Sequence, residues 1–170
     1  RPRRAQRPRR RRDRGGGVDL TRGVDRTQRP NTIRATFFDP DADYATGDAD
    51  PWEDEDDVAA RGVEPVDITF AMAPSHGQCR RLMKKEWFRR NPEWAGRFTT
   101  NLKGLAAIGE SLVRIRLAEF DIDHVFEIDN LKLVFGEGGI LLGVIFDAIS
   151  MPEESENWSP ATEEGDKPVT

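Results

Sequence analysis

The sequence predicts an α+β fold: a small antiparallel sheet with two helices packed on one face, flanked by disordered charged tails. Three observations point there. Charge comes in blocks, which leaves residues 63–152 as the near-neutral stretch able to form a core. Within it, apolar residues alternate, then recur at helical spacing, then alternate again. Cap and turn residues sit where the period changes.

Val66, Ile68, Phe70 and Met72 alternate with Asp67, Thr69, Ala71 and Ala73, the period of a half-buried strand that Pro74 ends. Ser75 followed by Gln78 fits a capping box and opens a helix to about Arg90. That cap accounts for the serine in the Ser75–His76–Cys79 cluster, which is not read as a nucleophilic site. Cys79, Leu82, Met83 and Trp87 share one helix face; Arg81, Lys85 and Arg89 form a basic stripe on another, with Arg80 and Lys84 beside them. Asn91-Pro92-Glu93 restarts a helix, with asparagine as cap, proline at the first position and glutamate at the positive end of the dipole. Trp94, Phe98, Leu102, Leu105 and Ile108 then predict a second helix, which Gly109 ends.

From Glu110 the period is two. Val113, Ile115 and Leu117 face one way; Phe120, Ile122, Phe126 and Ile128 continue after a slip near Ala118, where a bend or bulge is expected. Asp129-Asn130 marks a turn, and Leu131, Leu133 and Phe135 a short strand. Gly136-Glu137-Gly138-Gly139 connects it to an almost continuous apolar strand at 140–149, giving a hairpin with a central strand. A glycine loop between two strands opens no helix, so phosphate binding is not expected there.

The flanks are charge-dense. Residues 1–34 hold 13 arginines against three aspartates, a net +10, and are read as a disordered arginine-rich arm. Residues 35–62 are read as an acidic, aromatic-containing linker and residues 153–170 as an acidic disordered tail. Nine arginines fall within the first 14 residues, with Pro2 and Pro8 opposing helix and Gly15–Gly17 as a joint. The guanidinium fork matches phosphate oxygens without needing a fold. Arg1, Arg3, Arg4, Arg7, Arg9, Arg10, Arg11, Arg12 and Arg14, with Arg81, Lys85 and Arg89, are therefore the candidate nucleic-acid-binding residues. Phe37, Phe38, Tyr44 and Trp52 lie among ten acids in residues 39–57 and close before it. They are the candidate partner-docking anchors, because acids keep a ring exposed until it is buried on a partner.

Cys79 is the single cysteine, so no internal disulfide or four-cysteine zinc site is expected; with only His76 and His124, a Cys2His2 site is out as well. No cofactor or resident metal is expected. The lone cysteine favours an intracellular reducing compartment, with nucleus and virus particle both open. No apolar run reaches the roughly 18 residues of a membrane span, so no membrane partner is expected. The arm lacks the apolar stretch of a secretory signal, and the first serine, Ser75, is too late for a transit peptide.

Asp121, Asp123, His124, Glu127 and Asp129 form the densest group of metal-ligand types in the central stretch. Glu127-Ile128-Asp129-Asn130-Leu131 with Asp147-Ala148 resembles the acidic pattern of RusA-type Holliday junction resolvases. Glutamate replaces the first acid, however, and a hairpin replaces the intervening helix. Alternating acids are otherwise the solvent face of a strand. The stretch from Gln6 to Arg12, followed by glycines, looks like the arms of icosahedral RNA virus coat proteins. A central domain of this size is nevertheless short for their jelly roll. The reading favoured is a non-enzymatic structural or interaction component of a nucleoprotein assembly, binding RNA or DNA phosphates without sequence preference and docking on protein neighbours. The alternatives are a metal-dependent enzyme acting on nucleic acid through the group at 121–129, and a protein-only adaptor using the acidic aromatic segments.

Overall fold

The computed structural model describes residues 17–24 and 29–167 and the backbone of 11–12. In chain order the strands are β1 (Arg11–Arg12), β2 (Val18–Arg22), β3 (Thr32–Asp39), β4 (Ala45–Asp48), β5 (Trp52–Glu53), β6 (Pro65–Phe70), β7 (Trp94–Thr100), β8 (Leu112–Leu117), β9 (Ile122–Phe135) and β10 (Leu141–Ser150). The α-helices are α1 (Glu55–Arg61), α2 (His76–Arg90) and α3 (Pro160–Glu163), with short 3-10 turns between elements.

The described residues form two compact units, 11–12 and 17–24 with 92–152, and 29–91 with 153–167. In the first, six strands form one antiparallel sheet in the order β1-β2-β7-β10-β9-β8. Its core is Leu20, Phe98, Ile122, Phe126, Val144, Phe146 and Ala148. Phe98 stands edge-on to Phe126, centroids 5.5 Å apart, and stacks on Phe146 at 5.3 Å, offset arrangements that aromatic quadrupoles favour. In the second unit β3 is flanked by β4 and β5, both antiparallel, and pairs with β6 in parallel. Helix α2 packs Cys79 and Met83 on Ile33, Ala35 and Phe37 of β3.

The α+β expectation is overturned. The chain is mostly strand, in two sheets, and among the described residues only α2 is a long helix. Residues 94–100, expected to be helical, form β7, and a 3-10 turn follows at Leu102–Ala107. Burial along β7 deepens at Phe98 while Arg97 and Thr99 stay exposed, the side-to-side alternation of a strand. Gly96 sits there because β2 runs close by: a Cβ would come within 2.6 Å of Leu20 and 2.9 Å of the Asp19 carbonyl. Asp129-Asn130, expected as a turn, lies inside β9, where a register shift leaves Asp129 bulged out against β10.

The expected boundaries at 63 and 152 do not delimit the folded part. Residues 35–62 carry most of β3 and all of β4, β5 and α1. Asp54 caps α1 by accepting from the Asp57 N–H, and Arg61 closes it with an ion pair to Asp57. Those acids are fixed in local contacts instead of dispersing a linker. Residues 153–167 include a 3-10 turn and α3 and pack on α2. Where alternation places the early strand, β6 forms; Ser75 caps α2 by accepting from the Gln78 N–H; the 131–149 hairpin forms; and β10 is central between β7 and β9.

His76, buried at the start of α2, accepts a 3.2 Å hydrogen bond at Nε2 from the Asp50 N–H. Burial first, then the Arg80 charge, pushes its pKa below the ordinary 6.5. The unfolded chain therefore takes up this proton first, so stability is full above pH 6.5 and is lost as pH falls through 6.5 toward the folded value. Thermal melts from pH 8 to pH 5 should show a fall in melting temperature that is reduced in His76→Gln.

Candidate interaction surfaces

Helix α2 carries the cations proposed from sequence, and most are already engaged. Arg80 is buried. Its Nη1 donates to the Asp50 carbonyl at 2.9 Å, and its Nε is 3.2 Å from the carbonyls of both Glu163 and Glu164. Its guanidinium lies 5.1 Å above the Trp52 ring. Burial lowers its pKa from the ordinary guanidinium range. Lys84 donates to the Asn157 carbonyl at 2.6 Å and pairs with Glu163. Lys85 pairs with Glu156 at 2.7 Å, and Arg89 lies 3.8 Å from Glu86. A phosphate reaching Lys85 or Arg89 would compete with a carboxylate of the same chain. Arg81 is exposed and borders a cleft of about 500 Å³ with Gly77, Gln78, Leu82, Lys85 and Trp158.

These contacts fasten the acidic C-terminal segment along α2. Arg80→Met removes donors from several partly buried carbonyls and should cost about 2 kcal/mol. Limited proteolysis should then cut within 153–167 at a protease dose that leaves the unaltered chain intact.

The four aromatic anchors separate. Phe37 is 1% exposed, inside the core of its unit, which corrects its reading as a docking residue. Trp52 packs on that core beneath Arg80 and Lys84. Phe38 lies at the margin of exposure. Tyr44 is 70% exposed at the tip of the β3–β4 hairpin, where it and Asp43 both have left-handed backbone (φ 60° and 53°). Only Tyr44 has the fully open ring a docking anchor needs. Strand alternation in 32–39, with Ile33, Ala35 and Phe37 inward, is the signal that would have placed Phe37 in the core.

Of the arm, Arg1, Arg3, Arg4, Arg7, Arg9, Arg10 and Arg14 lie outside the described residues. The backbone of Arg11 and Arg12 pairs antiparallel with β2, opposite Leu20 and Asp19.

The acidic group at 121–129 does not converge. Asp121 ends a 3-10 turn in the left-handed region (φ 54°). Asp123 accepts from Arg114 at 2.7 Å and from Arg116 at 3.3 Å, and the Arg114 hydrogen bond foremost holds its pKa below the usual carboxylate value. Asp147 is held low by its 2.7 Å hydrogen bond from Arg97. Among the described residues no three His, Cys, Asp or Glu side chains stand close enough together to hold a metal ion. Cys79 is buried, and burial pushes its thiol up to about 11, far from a reactive thiolate. Among the described residues no helix is long and apolar enough to cross a membrane.

No known protein family and no curated protein matches the sequence. Solved structures do resemble the fold. One is a chain in the virion of a native gene transfer agent particle, which superposes with a TM-score of 0.57 at 16% sequence identity over 86% of this chain. The matched part is 30% of that chain, so this chain spans less than a third of the virion protein it resembles in fold.

Proposed function

We propose that this chain is a non-enzymatic structural component of a nucleoprotein assembly of the virus-particle kind. Its β-sheet units dock on neighbouring proteins and its arginine-rich segment neutralises nucleic-acid phosphates. The observation that carries the assembly part is the likeness, over most of its length, to part of a virion protein. The nucleic-acid part rests on the composition of residues 1–14, nine arginines with two prolines and a single apolar residue, Ala5. The cations of α2 are a weaker contributor, because Lys85 and Arg89 already have carboxylate neighbours.

Two experiments test this reading. Protein purified at low salt should carry nucleic acid, raising absorbance at 260 nm relative to 280 nm, and a high-salt wash should remove it. A non-enzyme should also leave labelled DNA and RNA uncut with magnesium present. Magnesium-dependent cleavage abolished by Asp129→Asn would establish the enzyme alternative in its place.

A further inference from the structure

The long strand β9 has two edges with different histories. One edge pairs with β10 from 126 to 135. The other pairs with β8 only from 122 to 127, and the Ile128 N–H closes that ladder on the Ser111 carbonyl. Beyond the Asp129 bulge, residues 130–136 have no strand on that edge among the described residues. This leaves a notch beyond the end of β8, along the open edge of the ribbon formed by the ends of β9 and β10.

The face of the ribbon continuous with the core is apolar and opens progressively. Leu131 stands opposite the core residue Phe146 and is partly buried. Leu133, opposite Val144, is 42% exposed, and Phe135, opposite Leu141, is 58% exposed. Exposed edges are normally blunted by charge, proline or bulges. The β8 edge has Arg114 and Arg116 gathered on Asp123. Residues 130–136 carry one charge, Lys132, and no proline.

We propose that this notch takes the same notch of a second copy, two β9 strands pairing antiparallel about Leu133. The pattern selects that register. Centred on Leu133, Leu131 meets Phe135 of the other copy, Leu133 meets Leu133, Lys132 meets Val134 and Asn130 meets Gly136. Apolar groups then stay on the core face, and no like charges are directly opposed. Centring on Lys132 sets two lysines face to face, and centring on Leu131 sets Asp129 against Leu133. The window ends at the Asp129 bulge on one side and the glycine loop on the other, so the paired length equals the open length. A contact of this size is below the roughly 1,600 Å² of a standard stable interface. It is therefore weak alone and gains strength from repetition within an assembly. The inference deepens the assembly reading and rests on it for its setting.

The test is disulfide trapping of the full chain without nucleic acid. Directly opposed residues in an antiparallel pair have Cα atoms about 4.5–5.5 Å apart, inside the roughly 4.4–6.8 Å that a disulfide spans. Residues offset by two are about 7–8 Å apart. The native Cys79 is buried and does not compete. Leu133→Cys should become a covalent dimer under mild oxidation at least tenfold faster than Lys132→Cys or the exposed control Ala106→Cys. Melting curves check that each variant folds. Sedimentation of the unaltered chain should show concentration-dependent dimer that Leu133→Lys abolishes. Equal trapping at the three positions, or a chain monomeric at several hundred micromolar, would overturn the proposal, including the case in which the notch takes another protein's strand. Failure here leaves nucleic-acid binding by the arm untouched, and failure of the arm leaves the trapped dimer untouched.

Discussion

Replacing Phe37 with alanine is expected to cost about 3–5 kcal/mol, the usual range for emptying a fully buried phenylalanine site. A typical domain has only about 5–15 kcal/mol of stability, so the variant should melt far lower or fail to fold. The ring belongs to one buried cluster with Ile33, Ala35, Cys79 and Met83, which joins strand β3 to helix α2. Tyr44→Ala, at an open hairpin tip, should stay within about 0.5 kcal/mol. Urea unfolding of the two variants measures both. A near-neutral Phe37→Ala would mean that β3 is not part of a packed core and would restore this ring to the docking anchors.

That contrast shows why the sequence was legible in some places and not in others. Ser75, Gln78 and the apolar spacing of α2 are local signals, and local signals do not depend on which strand lies next door. The hairpin from 131 to 149 was equally plain, because its glycine loop and both strands are adjacent in the chain. Residues 32–53 were obscured by charge. Their acids imply repulsion and disorder, yet β3 draws stability from β6, some thirty residues later, and from α2 beyond it. Such long-range pairing overrides local composition. Residues 94–105 misled in another way: Trp94, Phe98, Leu102 and Leu105 fit a helix by spacing, but Gly96, Thr99 and Thr100 belong to a strand. Neighbouring strands on both sides, β2 and β10, decide the matter. Phe37 sits in the core for the same reason as β3 forms: a partner strand and a helix distant in the chain cover it. The bases of α2 follow helical spacing, but the carboxylate partners of Lys84 and Lys85, Glu163 and Glu156, arrive from a tail that composition assigns to disorder.

Deleting residues 1–14 is expected to remove most nucleic-acid affinity while leaving the melting temperature nearly unchanged, since the deletion takes from the described fold only the two-residue strand β1. The arm is dense in charge and poor in apolar groups, so it gains little from packing and much from phosphate contact. Preference among sequences should be weak, because phosphate contacts position a protein without reading bases. The acids at 43, 48, 53 and 56 are exposed and available to compete for the arm. Replacing them with amides should tighten binding without removing a strand.

The most direct measurement of the account is a salt titration of binding to a labelled oligonucleotide, comparing the intact chain with residues 15–170. If the arm neutralises about six to nine phosphates, log affinity should fall with log salt at about −0.9 per phosphate on duplex and about −0.7 on single strands. The shortened chain should bind weakly with a shallow slope. If it binds as tightly as the intact chain, with the same slope, the arginine-rich segment is not the nucleic-acid element and the nucleoprotein reading is contradicted.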